Sequence, residues 1–352
     1  MGPNEITVMP CFSLEPNKLV SFNRVFRRSN YDEYGNRRQK TKLLHSTNWS
    51  DKAKSNAIKR AHHNLMLSDN AYRTLKRRIN WLYYLAKSRH VKTYSGKDIY
   101  NFKIAFLTLT LPSKQRTCTA EITKVLFNQF LTEIRQRTKV ENYIWRLEFQ
   151  KNGNAHYHII TDTYLDYFFA QKIWNRILSN NGYVQPYTDK HSAMSLHDYN
   201  LTYNSDGKTD FSVIAKRYAS GKKTGWTQPP TIDVKSVQSK KAIANYISKY
   251  FSKDANHATI QNELDNDDNT ENIRLWFCSR SLSKLSSVSD FCEAVDYDIF
   301  SLVGCCKKIR KVFCQYATII YYDLLEFSHW SRSQVEMLLK DYSKKQGYIP
   351  AS

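Results

Sequence analysis

The sequence predicts an α+β fold, and two observations carry that expectation. β-Rich runs with apolar–polar alternation recur at 103–111, 143–150, 155–162 and 231–237, with amphipathic helical stretches at about 120–138 and 165–180 between them. Lys151-Asn152-Gly153-Asn154 separates two of these runs with turn-forming residues, so 143–162 reads as a hairpin and its strands as antiparallel.

From the N-terminus, residues 18–100 hold 20 Lys and Arg against five Asp and Glu. Residues 18–48 combine turn-formers with the basic pairs Arg27-Arg28 and Arg37-Arg38 and show no periodicity, which predicts an extended, loosely ordered basic arm. Ser50 then caps a helix over about 51–67, and Ser68 a second over about 69–88. The second carries Tyr72, Leu75, Ile79, Leu82, Tyr83 and Ala86 as an apolar stripe. Arg73, Lys76 and Arg77 fall mostly off that stripe, as a solvated face or as one that tracks phosphates. The first 100 residues are therefore expected to form a largely helical, basic N-terminal region.

Beyond it, KIAFLTLTL at 103–111 is a strand ended by Pro112. The helix at 120–138 places Ile122, Val125, Leu126, Phe130, Leu131 and Ile134 on one side. The helix at 165–180 is closed by Asn180-Asn181-Gly182. Residues 186–226 are polar and read as loop, Thr231–Val237 as a strand, and 239–253 as a helix. Glu263–Glu271, with five carboxylates in nine residues, reads as an exposed linker and a boundary. Tyr316–Leu325 is apolar enough for a strand. The expected domains are 1–100, a central domain over 101–260, and a C-terminal region of unassigned role over 261–352.

Composition narrows the function. A formal charge of +21 over 352 residues favours a polyanionic partner, nucleic acid first. Aromatic residues reach 14%, with 24 Tyr, and can serve as platforms for unpaired bases. Seven Cys without regular spacing read as reduced thiols in a cytoplasmic protein. Met1–Phe12 lacks the pattern of a secretory signal, and no apolar run approaches the roughly 18 residues of a membrane span. No phosphate-loop motif marks a helicase or ATPase motor.

The chemistry concentrates in two places. His156 and His158 share one face of a strand, because the side-chain period there is two. Counting back through the turn brings Glu148 to the same side. Paired strand histidines are often surface or packing residues, but two imidazoles with a carboxylate can hold a divalent metal. Further on, Tyr246, Lys249, Tyr250 and Lys253 form one stripe of a helix. Helical tyrosines are by default packing residues. Here each has a lysine three residues later, and an ammonium nearby favours phenolate and balances charge on a phosphorane-like transition state.

FLTLTLP at 106–112, AHYHII at 155–160 and NYISKYFSK at 245–253 resemble, in order and spacing, the three motifs of HUH-superfamily rolling-circle replication initiators. The Tyr-x-x-Lys-Tyr-x-x-Lys form resembles that of the two-tyrosine initiators of small single-stranded DNA phages (microvirus-like) and related plasmid proteins. The resemblance spans about 103–253. It implies a central antiparallel sheet flanked by helices, the ferredoxin- or RRM-like palm of an HUH endonuclease. It also implies a Mg²⁺ or Mn²⁺ ion on His156, His158 and Glu148, and Tyr246 and Tyr250 as nucleophiles forming a covalent 5′-phosphotyrosine intermediate. The expected activity is a nicking and joining endonuclease acting on single-stranded origin DNA or an origin hairpin, alongside a host helicase and polymerase. Relaxases and single-strand transposases of the same superfamily share the equipment. A non-catalytic single-strand-binding protein would need only the charge and the aromatics.

Overall fold

A computed structural model of the protein describes residues 6–27, 69–86, 89–92, 98–102, 104–237, 274–291, 297–306 and 308–347. In chain order the elements are strands β1 (Ile6–Glu15) and β2 (Lys18–Arg27), helix α1 (Asp69–Leu85), and strands β3 (Arg89–Lys92), β4 (Asp98–Phe102) and β5 (Ile104–Leu109). Helix α2 (Asn128–Arg137), strands β6 (Tyr143–Phe149) and β7 (Ala155–Thr161), and helix α3 (Tyr167–Asn180) follow. Helices α4 (Gln185–Ser192), α5 (Leu196–Tyr203) and α6 (Phe211–Lys223) lead to strands β8 (Ile232–Val237), β9 (Trp276–Cys278) and β10 (Val288–Phe291). Helix α7 (Tyr297–Gly304), strands β11 (Ile309–Cys314) and β12 (Ala317–Tyr322), and helix α8 (His329–Lys345) end the order. The chain divides into two units, one of Met1–Leu85 with Arg280–Ile349 and one of Ala86–Ser279 with Pro350–Ser352.

The central unit is built on a five-stranded sheet in the order β8-β5-β7-β6-β9, every neighbour antiparallel. Alternation gives it two unlike faces. Leu107, Leu109, Trp145, Leu147, Tyr157 and Ile159 point to one side and are buried. There they meet Phe130, Leu131 and Ile134 of α2 and Ile173, Trp174 and Ile177 of α3 in one hydrophobic cluster. Burying such a side chain stabilises the fold by about 1.5–3 kcal/mol. Trp174 fixes α3 on the sheet by donating Nε1–H to the Thr110 carbonyl at 3.0 Å. The N-terminus of α3 is capped by Asp166, which accepts from Phe169 N. A π-helical turn over Ile122–Phe127 precedes α2.

The predicted hairpin is present. Gly153 takes φ 80° in its turn, a conformation open to glycine at no steric cost, and Gln150 and Asn154 close the loop through Gln150 N–H and the Asn154 carbonyl at 2.9 Å. The chain leaves this sheet from β8 at one edge and re-enters it as β9 at the other.

The other unit holds a second antiparallel sheet, β10-β1-β2-β12-β11. The loosely ordered arm expected over 18–48 is corrected at its start: Lys18–Arg27 is a strand, paired with β1 through ten residue pairs and with β12 on its other side. Backbone pairing satisfies a basic strand as well as an apolar one, and Phe12 and Leu14 of β1 with Leu19 of β2 form a buried side of the pair. Helix α1 forms where its capping and periodicity placed it, with Leu75, Ile79 and Leu82 buried. The helix expected over 51–67 and the acidic run Glu263–Glu271 lie outside the described residues.

A second correction concerns 186–226, read as loop. It contains α4, α5 and α6, folded around Tyr199, Ile214 and Trp226. Tyrosine, histidine and tryptophan build this small core, so a segment poor in aliphatic residues still buries enough surface to fold.

Candidate metal site and its sheet face

The face of the central sheet opposite the helices carries the predicted chemistry. Register sets it: Glu148 pairs directly with His156, and Arg146 with His158. His158 also pairs with Thr108 of β5, and Thr108 in turn with Asp233 of β8. Directly opposed residues of an antiparallel pair share a face, so Glu148, His156, His158, Arg146, Thr108 and Asp233 form a polar band across four strands.

His158 is its centre. It is buried, and its Nε2 lies 3.2 Å from Glu148 Oε2 while its Nδ1 lies 3.2 Å from Thr108 Oγ1. Phe106 stacks on the imidazole at 5.4 Å between centroids. His156 stands beside it, half-buried, with its ring at 4.6 Å and turned 84°. Tyr157, between the two, enters the core, where it stacks on Phe127 at 4.0 Å and shares a 2.8 Å hydrogen bond with Thr123. Burial pushes its phenol well above the usual tyrosine range. The middle residue thus anchors the strand that presents both imidazoles.

These residues fit a divalent cation in donor type and in part of their placement. Two ligands at right angles on an ion with bonds of about 2.1 Å stand about 3.0 Å apart, close to the 3.2 Å between His158 Nε2 and Glu148 Oε2. Among the described residues Glu148 Oε1 is buried without a hydrogen bond, and Arg146 Nε at 3.6 Å is too far to supply one. His156 faces the same space without converging on it. Among the described residues no three His, Cys, Asp or Glu side chains form a finished metal cluster.

Sequence reasoning missed Thr108 and Arg146. The period-two rule that grouped the histidines also places Arg146 beside Glu148 within β6, and Thr108 alternates with Leu107 and Leu109 in β5. Tyr246, Tyr250, Lys249 and Lys253 lie outside the described residues. Arg73 and Lys76 are exposed on α1, whereas Arg77 is held by the buried Glu15, its Nε 3.0 Å from Oε1. No described helix is long and apolar enough to cross a membrane.

No curated protein and no solved structure matches the chain. One family model does, described as Replication-associated protein ORF2/G2P, and it covers residues 104–255. That segment begins with β5 and contains the hairpin and the histidine pair. In this part of the chain the protein is similar to replication-associated proteins.

Proposed function

We propose that the protein initiates rolling-circle DNA replication by nicking and rejoining single-stranded origin DNA. The observation that carries this reading is the His158–Glu148 contact beside His156, within the segment that resembles replication-associated proteins.

His156, His158 and Glu148 would hold one Mg²⁺ or Mn²⁺, which supplies Lewis acidity at a phosphate oxygen when bound. Arg146 stands next to Glu148 and offers a guanidinium to the same anionic substrate. Tyr246 or Tyr250 is the nucleophile. Its phenolic oxygen forms a bond to phosphorus, the bond from phosphorus to the 3′-oxygen breaks, and the phenol's proton is released as the 3′-oxygen takes one up. Lys249 and Lys253 favour the phenolate. The 5′ end stays on the protein and the free 3′-hydroxyl primes a host polymerase, with a host helicase opening the duplex. The second tyrosine would cut the regenerated origin and release a circle. The link between β8 and β9 that contains both tyrosines joins the two edges of the sheet bearing the histidines.

The test is adduct formation on labelled single-stranded origin DNA with Mn²⁺, read as a denaturant-resistant protein–DNA band. Wild type should form it. His158→Ala and His156→Ala should lose it while still binding DNA, and Tyr246→Phe with Tyr250→Phe together should abolish it. Each single tyrosine variant should still cleave but release fewer unit circles. Undiminished nicking by the histidine double variant would remove the metal assignment. Absence of any adduct from wild type would leave a non-catalytic DNA-binding protein.

A further inference from the structure

The helices α4, α5 and α6 stand outside the sheet and its polar face, and they are firmly built. His191 is buried at their centre, where its Nδ1–H donates to the Tyr187 carbonyl at 2.7 Å. That leaves Nε2 to accept from the Tyr203 hydroxyl at 2.6 Å. Trp226, at φ 57°, lays its ring against α6 at Gly221, where an added Cβ would come within 2.0–2.4 Å of three ring atoms. A glycine is required there, and it lets the indole lock the helix down on one side.

Much of the rest of α6 is exposed. Of its 13 residues only Ile214 is buried. At 100° per residue, Lys216 and Lys223 occupy the middle of the side opposite Ile214 and Gly221, with Lys222 about 90° to one side and Arg217 about 130° to the other, nearer Ile214. All four are exposed. Between them stand the exposed small residues Ser212, Ala219 and Ser220. The helix contains no acidic residue, and Asp210, its cap, is engaged with Ser212 N.

We propose that α6 is a duplex-binding helix that lies in the major groove of double-stranded DNA. Charge complementarity selects a polyanion. The shape selects a duplex: Ser212, Ala219 and Ser220 let the helix axis approach closely, a helix of this size fits a major groove about 12 Å wide, and the exposed lysines reach the phosphates of its walls. A single strand is held by stacking on aromatic rings, and α6 has none at its outward centre, its exposed Phe211 lying about 110° away at the first residue of the helix. The inference rests on the reading of the protein as an origin-nicking initiator only for the source of the duplex, the paired DNA flanking the nick site. Binding itself is separable from cleavage.

The experiment uses the full chain in EDTA, with fluorescence anisotropy on a 20-base-pair duplex and on an oligothymidine of equal length, over a range of salt. Replacing Lys216, Arg217, Lys222 and Lys223 together by Gln should weaken duplex binding about tenfold or more and lower the salt slope by about three. Oligothymidine binding should stay within about twofold. Ala219→Glu leaves all four cations in place and puts a longer acidic side chain into the interface, so it should weaken duplex binding alone and serves if the quadruple variant loses its helical circular dichroism. Equal losses on both DNAs, or no loss on the duplex, overturn the proposal. Adduct formation on single-stranded DNA should persist in the quadruple variant. If wild type forms no adduct but duplex binding still depends on α6, the nicking reading fails and this one stands.

Discussion

Thr108→Val isolates the link between the sheet and the candidate metal site. Thr108 Oγ1 and Glu148 Oε2 lie 3.2 Å from the two ring nitrogens of His158, which is 5% exposed, so water has little room to replace either. A hydroxyl can donate or accept. With the ring proton on Nε2, Nε2–H donates to Glu148 and the Thr108 hydroxyl donates to Nδ1. Were Nε2 to serve as a metal ligand, the ring proton would sit on Nδ1 and Thr108 would accept it. Valine keeps the branched shape that suits a strand but can do neither. Losing one such hydrogen bond costs about 1 kcal/mol of stability, which leaves the sheet folded. Loss of a ligand-orienting partner lowers metal affinity by about 10–100-fold. The assay is Mn²⁺ binding, read from the electron paramagnetic resonance of the free ion, for wild type, Thr108→Val, Thr108→Ser and His158→Ala. Serine should bind nearly as wild type, valine more weakly, and alanine at position 158 weakest of all. Valine as tight as wild type, or serine as weak as valine, would refute the reasoning, because the hydroxyl would then not be what orients the ring.

Two further predictions concern stability. Gly221→Ala, which in an exposed helix usually stabilises by up to about 1 kcal/mol, should here destabilise by about 1–3 kcal/mol through overpacking against Trp226; hydrogen exchange should rise in 185–226 and not in the sheet, and a rise in stability would show that the indole is not fixed. Asp162 is buried, and burial pushes its carboxyl up to about 6 despite the N–H donors of Asn142 and Glu141. The folded state therefore keeps a proton that the unfolded chain loses above about pH 4. That contribution is full at low pH and lost as pH rises through 6, a change on the order of 2–3 kcal/mol. Urea unfolding at pH 4.5 and 7 should show wild type losing stability relative to Asp162→Asn as pH rises; a constant gap would mean that the buried carboxyl is ionised throughout.

What was legible in the sequence depended on how far apart the interacting residues lie. Glu148 and the histidines lie on one hairpin, so local reading could put them on one side, and the structure gives the register that pairs Glu148 with His156 directly. The same alternation located β5, β6, β7 and β8, because each strand buries one face against helices whose own periodicity was plain. Thr108 reaches His158 from a strand 50 residues away, and only knowledge of which strands are neighbours puts it there. In β2 the lysine and arginines masked the strand-forming Val20, Phe22, Val25 and Phe26, and its second neighbour β12 lies near the other end of the chain. The helices α4 and α5 failed for a different reason. Each has eight residues, too short to show an apolar stripe, and their core is made of rings bearing polar atoms that a hydropathy pattern counts as solvent-facing. His191 makes the point: polar by composition, it is 2% exposed and satisfied on both nitrogens. A buried, bonded histidine in one segment and a buried histidine against a carboxylate in another differ in what the second nitrogen meets. In α4 it meets a neutral hydroxyl and the ring is held as structure; in β7 it meets Glu148, and the pair has the charge and spacing to take a cation.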